Sequence, residues 1–295
     1  MIGHILIFGL GYTGRAIAAA AAASGFAVTA TSRAPARIAP AGGVEIVDFT
    51  TLDPGFATHV VTTVPPGEAA DPVLVAHGDA LRASAKLRWA GYLSTTGVYG
   101  DRGGGWVDEA TPPAPASART RRRVAAEQAW AALAGHLAVD LFRVAGIYGP
   151  GRSMFDDVRA GTARRVDKPG HAFGRIHRDD IAGAVLAAMR GPCAPGVRVL
   201  HLSDDVPAES AVVVAEAARL LGVDPPPLVP FAEAEARMSD MARGFWSENR
   251  RVASARTQQM LGYRWRYPSY REGLHAILAE EGADGAAQER DVPGA

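Results

Sequence analysis

The chain has little cysteine and little lysine. One cysteine, Cys193, stands among 295 residues. A lone cysteine cannot close an intrachain disulfide, and no Cys/His cluster has zinc spacing. A disulfide scaffold and a zinc-bound fold are therefore excluded, and Cys193 reads as a small residue in a Gly-Pro-Cys-Ala-Pro loop. Lysine occurs only as Lys86 and Lys168, so 29 of the 31 basic residues are arginine. Charge of one sign is also missing, with 31 basic residues against 31 acidic. A general nucleic-acid binder carries a basic excess or stripe, so no nucleic-acid partner is expected. No apolar run reaches the roughly 20 residues of a membrane span, and no membrane partner is expected. The opening residues lack a basic leader and run straight into a strand pattern, which makes the expected location cytoplasmic.

Apolar residues make up 48% and charged residues 21%, as in ordinary globular proteins. Short apolar runs alternate with helical stretches. Strands are expected at His4–Phe8, Ala27–Ala30, Val44–Val47, His59–Thr63, Trp89–Ser94, Val139–Arg143 and Val197–Leu202. Helices are expected at Gly14–Ser24, Pro72–Ser84, Thr120–Ala134, Asp180–Met189, Ala208–Leu221, Ala232–Ala242 and Ser254–Leu261. This alternation predicts an α/β fold, a doubly wound parallel sheet with helices on both faces. Gly25 is placed to end the first helix, and Asp179 or Asp180 to cap the helix opening at Ile181. Gly and Pro cluster in loops at Asp101–Ala118 and Val223–Pro230. A polar, Gly/Ala-rich stretch at 281–295 reads as a flexible tail.

The first strand leads into Gly9-Leu10-Gly11-Tyr12-Thr13-Gly14 and then a helix. Glycine suits each place: Gly9 for the tight turn, Gly11 for close approach of a pyrophosphate, Gly14 for helix against strand. The helix N-terminus adds free N–H groups and a positive pole. This is the pattern of a Rossmann dinucleotide site. The second strand ends Thr29-Ala30-Thr31-Ser32-Arg33, with no acid for a ribose 2′-hydroxyl. Ser32 and Arg33 can hold a 2′-phosphate, so NADP is the expected cofactor and NAD the alternative. The competing reading of Arg33 is a solvated loop arginine. At the end of the third strand Asp48 is either an acceptor for the adenine amino group, with Phe49 packing nearby, or a turn residue.

Four further segments follow in order: Leu93-Ser94-Thr95-Thr96-Gly97-Val98-Tyr99-Gly100, Phe142–Arg152, Arg175–Ala182 and Tyr267–Leu274. With the Gly turn, this series resembles the extended, atypical short-chain dehydrogenases/reductases, the NAD-dependent epimerase/dehydratase-like family, over residues 3 to 277. The resemblance implies a Rossmann domain at 1–150 plus about 176–202, and a smaller substrate-binding part at about 151–175 and 203–280. It places Thr63 in a segment lying along the cofactor, and Tyr12 beside it. It implies a small-molecule substrate, with nucleotide-linked sugars common in the family, and dimerisation through helices near 72–84 and 120–134. Arg143, Arg152, Arg250 and Arg251 are candidates for substrate phosphates or for structural ion pairs. The segment Phe245–Val252 is either a wall of the substrate cleft or a packed loop.

The family's chemistry uses Ser/Thr, Tyr and a Lys four residues after the Tyr. Thr95 matches the first. Aligned on Glu127, Arg119 takes the tyrosine's place and Arg123 the lysine's. Neither lysine has a tyrosine four residues before it, since those positions hold Arg82 and Arg164. Arginine stays protonated and cannot act as a general acid near neutrality. Arg123 can still hold a ribose or phosphate, and Arg119 can bind an anion or polarise a carbonyl. Tyr99 is the leading substitute for the missing tyrosine, ahead of Tyr148 and His177. The expected function is an NADP-dependent oxidoreductase or epimerase/dehydratase with an atypical active site (catalytic candidates Thr95, Tyr99, Arg119 and Arg123). The alternative is a non-catalytic dinucleotide-binding sensor or interaction protein.

Overall fold

A computed structural model of the protein describes residues 3–39 and 42–290. The strands in chain order are β1 (His4–Phe8), β2 (Ala27–Ser32), β3 (Val44–Asp48), β4 (His59–Thr62), β5 (Trp89–Thr95), β6 (Trp106–Val107), β7 (Ala138–Val144), β8 (Gly146–Tyr148), β9 (Arg165–Asp167), β10 (Ala172–Phe173), β11 (Arg175–His177), β12 (Gly196–Leu202), β13 (Ala208–Glu209), β14 (Leu228–Pro230) and β15 (Arg251–Val252). The α-helices are α1 (Tyr12–Ala23), α2 (Pro72–Ala83), α3 (Ala118–Ala131), α4 (Met154–Arg159), α5 (Arg178–Arg190), α6 (Ser210–Leu221), α7 (Phe231–Glu235), α8 (Asp240–Trp246), α9 (Ala255–Leu261) and α10 (Tyr270–Arg290).

Seven strands form one parallel sheet in the order β12-β7-β5-β4-β1-β2-β3. The central strands β4 and β7 are buried along their whole length, as strands covered on both faces must be. Successive residues of β1 point to opposite faces. Ile5 and Ile7 meet α1 and α5 through Ile17, Ala21, Ile181 and Val185. Leu6 and Phe8 join the cluster that holds Val73 and Leu81 of α2 and Trp130 of α3. The strand order reverses between β1 and β4, so their carboxyl ends open the crevice where such sheets take ligands. Beyond β7 a separate apolar cluster joins Tyr148, Phe155 of α4, Val213 of α6 and Leu274 of α10.

Three local expectations are corrected. The Ala232–Ala242 helix is two helices, α7 and α8, with Ser239 capping the second through Ala242 N. The tail expected from 281 continues α10 as far as Arg290, and 291–295 lie outside the described residues. Neither Asp179 nor Asp180 caps α5: His177 Nδ1 accepts from Asp179 N at 3.2 Å. Asp180 is buried instead, where its carboxylate accepts from Tyr263 Oη, Arg266 N and Tyr267 N and ties α5 to the turn after α9.

A polar network runs through the centre of the fold. Arg143 of β7 and Glu127 of α3 form an ion pair at 2.7 Å, with side chains only 5% and 4% exposed. Glu127 also accepts from Ser94 Oγ and Arg143 Nε. Arg143 Nη1 donates to Tyr99 Oη, which also contacts His201 Nε2. His201 Nδ1 faces the carbonyl of Ala253 at 2.7 Å, a group that only accepts. The ring is therefore the Nδ1–H tautomer, and Tyr99 donates to Nε2. Arg143→Leu leaves Glu127 buried without its partner. It is expected to lower stability by about 3–5 kcal/mol in urea denaturation, and a loss below about 1 kcal/mol would refute the pairing's importance.

Burial lowers the basicity of His59 and His201, and takes His177 to about 4. A folded-state value below the ordinary 6.5 means the neutral ring stabilises the fold above pH 6.5 and that contribution is lost toward about pH 4. Buried Asp71, Asp180 and Asp204 act in the opposite sense, because burial raises their carboxyls. The comparison must therefore be between variants. His177→Asn keeps a capping side chain and removes the titration, so its melting temperature is expected to fall less than wild type between pH 7 and pH 5.

Candidate functional site

The crevice at the switch point is built on the Gly turn. Gly9 has φ +91°, a left-handed conformation that favours glycine. Its N–H donates to Thr31 Oγ1 at 3.2 Å, and its carbonyl accepts from Thr63 Oγ1 at 2.8 Å. Thr63 therefore holds the turn itself. A Cβ at Gly14 would run into the Gly9 carbonyl oxygen, so α1 sits on the turn only because residue 14 has no side chain. Gly11 is different. It has an ordinary φ of −80°, caps α1 with no side-chain hydrogen bond, and a Cβ there would meet nothing within 4 Å. The open space above Gly11 faces helix amides that receive no side-chain cap and a first turn without acidic residues.

That space belongs to a cleft of about 640 Å³ lined by Gly9–Gly11, Thr31–Arg33, Phe49 and Thr63–Gly67. The volume lies in the range of small-molecule sites. Ser32 Oγ accepts from Ala34 N, which leaves its proton free to donate. Arg33 is exposed on the cleft wall, with no ion pair among the described residues. Phe49 lines the cleft as expected, but Asp48 does not. The Asp48 carboxylate folds back on Thr50 N and Thr50 Oγ1, which is the turn reading and corrects the adenine-acceptor one.

Thr95 ends β5 and is partly accessible, with Oγ1 accepting from Gly97 N at 3.1 Å. Its hydroxyl proton is thus free. The other three catalytic candidates sit in differing surroundings. Tyr99 is fully buried and bound to Arg143 and His201, so it cannot stand in for the family's tyrosine. Burial also raises its pKa, which opposes proton release. Arg119 lies exposed in the first turn of α3 with no side-chain hydrogen bond among the described residues. Arg123 is half-buried, and its Nη1 donates to Tyr92 Oη and the Leu93 carbonyl, which pins α3 to β5.

Tyr12 and Thr13 begin α1. Thr13 is buried. Tyr12 Oη donates to the Pro150 carbonyl at 3.0 Å, while the Arg152 and Arg178 guanidiniums lie 5.7 and 5.1 Å from its ring centre. Sequence reasoning missed Arg178, whose only signal was its place beside the Asp pair. Of the phosphate candidates, Arg143 is the buried partner of Glu127, and Arg250 binds Glu248 and the Gly100 carbonyl. In the segment Phe245–Val252, Trp246 packs inside and Phe245 is exposed, stacked on Phe173. Among the described residues no group of acidic, histidine or cysteine side chains is arranged to hold a metal, and no helix is long and apolar enough to cross a membrane.

No protein-family model matches the chain. A 3-diazoavenalumate denitrifying reductase from Streptomyces is 32% identical over 181 residues, 57% of this chain and 58% of that protein. The chain thus matches less than two thirds of the length of its curated relatives. A functionally unknown conserved protein from Silicibacter pomeroyi is 44% identical over 95% of this chain and 99% of its own, with a TM-score of 0.86. A putative NAD-dependent epimerase/dehydratase from Methylobacillus flagellatus is 27% identical over 95% of this chain and 99% of its own, with a TM-score of 0.71. MoeE5 in complex with UDP-glucuronic acid and NAD shares the fold at 20% identity, covering 96% of this chain and 100% of its own, with a TM-score of 0.74. The chain thus shares its α/β fold with solved NAD-dependent epimerase/dehydratase-type proteins.

Gly14 and Gly9 are expected to be structural positions. Gly14→Ala should lower the melting temperature sharply, because the new methyl has only a backbone carbonyl to displace. A melting temperature equal to wild type would contradict this packing.

Proposed function

We propose that the cleft binds NADP and that the chain is an oxidoreductase or epimerase/dehydratase acting on a small-molecule substrate. The observation that carries this reading is the cradle at Gly11: open space over uncapped helix amides, held by glycines at 9 and 14 that admit no side chain. The amides at the start of α1 would take the pyrophosphate. Ser32 and Arg33 would take the 2′-phosphate, with Phe49 and the Thr63–Gly67 segment along the rest. Bound there, the dinucleotide supplies hydride chemistry that no side chain can. Thr95 would offer its free hydroxyl proton to a substrate oxygen. The name of the Streptomyces relative supports reduction of a small molecule, and the ligands of MoeE5 support a nicotinamide dinucleotide with a nucleotide-linked sugar as one substrate class.

A second reading is a dinucleotide-binding sensor without turnover. The burial of Tyr99 and the solvent position of Arg119 favour it, since they leave no phenol in the family's place. Titration with NADPH and NADH, followed by fluorescence, tests the binding. NADPH should bind more tightly, and Arg33→Ala should weaken NADPH by about 10–100-fold while leaving NADH nearly unchanged, since a charge-assisted phosphate contact is lost. Gly11→Ala should fold normally yet lose both nucleotides. Failure of wild type to bind either nucleotide would sink the proposal. With binding in hand, NADPH oxidation across a carbonyl panel separates the two readings. Turnover reduced about 10²-fold in Thr95→Ala supports the enzyme. Tight binding with no turnover selects the sensor.

A further inference from the structure

A second pocket, of about 310 Å³, opens among β8, α4, α6 and α10. It shares no lining residue with the cleft above Gly11. Its walls are apolar at Met154, Val213 and Leu274, and aromatic at Tyr148 and Tyr270. Two guanidiniums, Arg152 and Arg175, also line it.

Arg175 is the informative residue. Its Nη1 donates to the Phe173 and Ala208 carbonyls at 2.9 and 3.0 Å. Its Nε and Nη2 have no partner among the described residues, and no carboxylate there lies within ion-pairing distance of the guanidinium. The nearest acid, Asp204, accepts instead from the Arg175 main-chain N–H at 3.4 Å, and its Oδ2 is buried without a partner. Burial pushes the Asp204 carboxyl above the usual carboxylate range, and its carboxylate makes no ion pair with the guanidinium. Arg175 is pushed the other way, its charged form disfavoured by burial. A largely enclosed guanidinium without an ion-pair partner is costly. Here it stands on the wall of a pocket. Arg152 likewise makes no side-chain hydrogen bond or ion pair among the described residues, and lies over the ring of Tyr12.

Asp156 and Asp157 stand in the same pocket, both exposed, with Asp156 accepting from Ser153. They oppose a polyanion such as a diphosphate. One compact negative group with an apolar body fits better, and a planar carboxylate matches the guanidinium fork. We propose that this pocket binds a small organic monocarboxylate, its head on Arg175 and Arg152 and its body against Met154, Val213 and Leu274. The site does not depend on nucleotide binding. Arg152, on the pocket wall, also lies over the ring of Tyr12, the residue that opens α1.

Calorimetry and thermal shift of the full chain, without nucleotide, test this with benzoate, cinnamate and hexanoate against their neutral amides and inorganic phosphate. At least one acid should bind at millimolar concentration and raise the melting temperature, while its amide does not. Arg175→Gln and Arg152→Ala should each weaken that acid about tenfold or more. Should Arg175→Gln fail to fold, Arg152→Ala carries the test, since Arg152 is exposed. The proposal is overturned if no acid binds, if the amides bind equally, if phosphate binds better than every acid, or if the substituted protein binds as wild type does.

Discussion

The buried pairing of Arg143 with Glu127 is the interaction on which the middle of this protein turns. It joins α3 to β7, and through Ser94, Tyr99 and His201 it reaches β5 and β12. Two charges taken out of water are tolerable only when their remaining donors and acceptors are satisfied. The chain meets that demand with a hydroxyl, a phenol and an imidazole of fixed tautomer. This explains the fate of Tyr99. Its place in Val98-Tyr99-Gly100 suggests chemistry, but its oxygen is already required as an acceptor for Arg143 and a donor to His201. The side chain that reads as a catalyst completes the core.

The Gly turn divides its labour. Residue 14 lacks a side chain because it must meet the Gly9 carbonyl, and residue 9 because of its positive φ and the Thr63 and Val64 side chains beside it, whereas residue 11 lacks one over empty space. The first two glycines serve the fold and the third serves whatever enters the cleft. Thr63 belongs with the first two. Its hydroxyl, donated to the Gly9 carbonyl, couples the end of β4 to the end of β1 across the switch point. The crevice is thus preorganised from both sides before any ligand arrives.

Much of the architecture was legible in sequence because it rests on short-range periodicity. All seven strands of the main sheet fall within two residues of expectation, and α2 begins at Pro72 behind Asp71 as local capping rules require. What escaped depends on contacts distant in sequence. Asp180 looks like a cap, but amides some 86 and 87 positions away claim its carboxylate. Arg123 looks like a ribose ligand, but Tyr92 and Leu93 on β5 hold it. The short pairings of β8 with β11 and β9 with β14 carry no periodic signal at all. Arg175 was quoted within a motif, yet nothing local marks it as a cation left without a carboxylate.

The position of His201 has a consequence for how the chain acquires its structure during synthesis. β12 is an edge strand, added outside β7 after most of the sheet is already present in the chain. The groups that seat it come later still: Ala253 receives the imidazole and Thr257 receives the His201 amide, while Thr257 in turn reaches back to Glu109. A nascent chain that has emerged only through β7 therefore holds Arg143, Glu127 and Tyr99 with one acceptor missing and one face of β7 unpaired. Such separations in sequence slow the approach to the native state. Ala253 and Thr257 act as the latch of a core whose other parts were made long before, and until β12 has emerged β7 presents an open sheet edge to its surroundings.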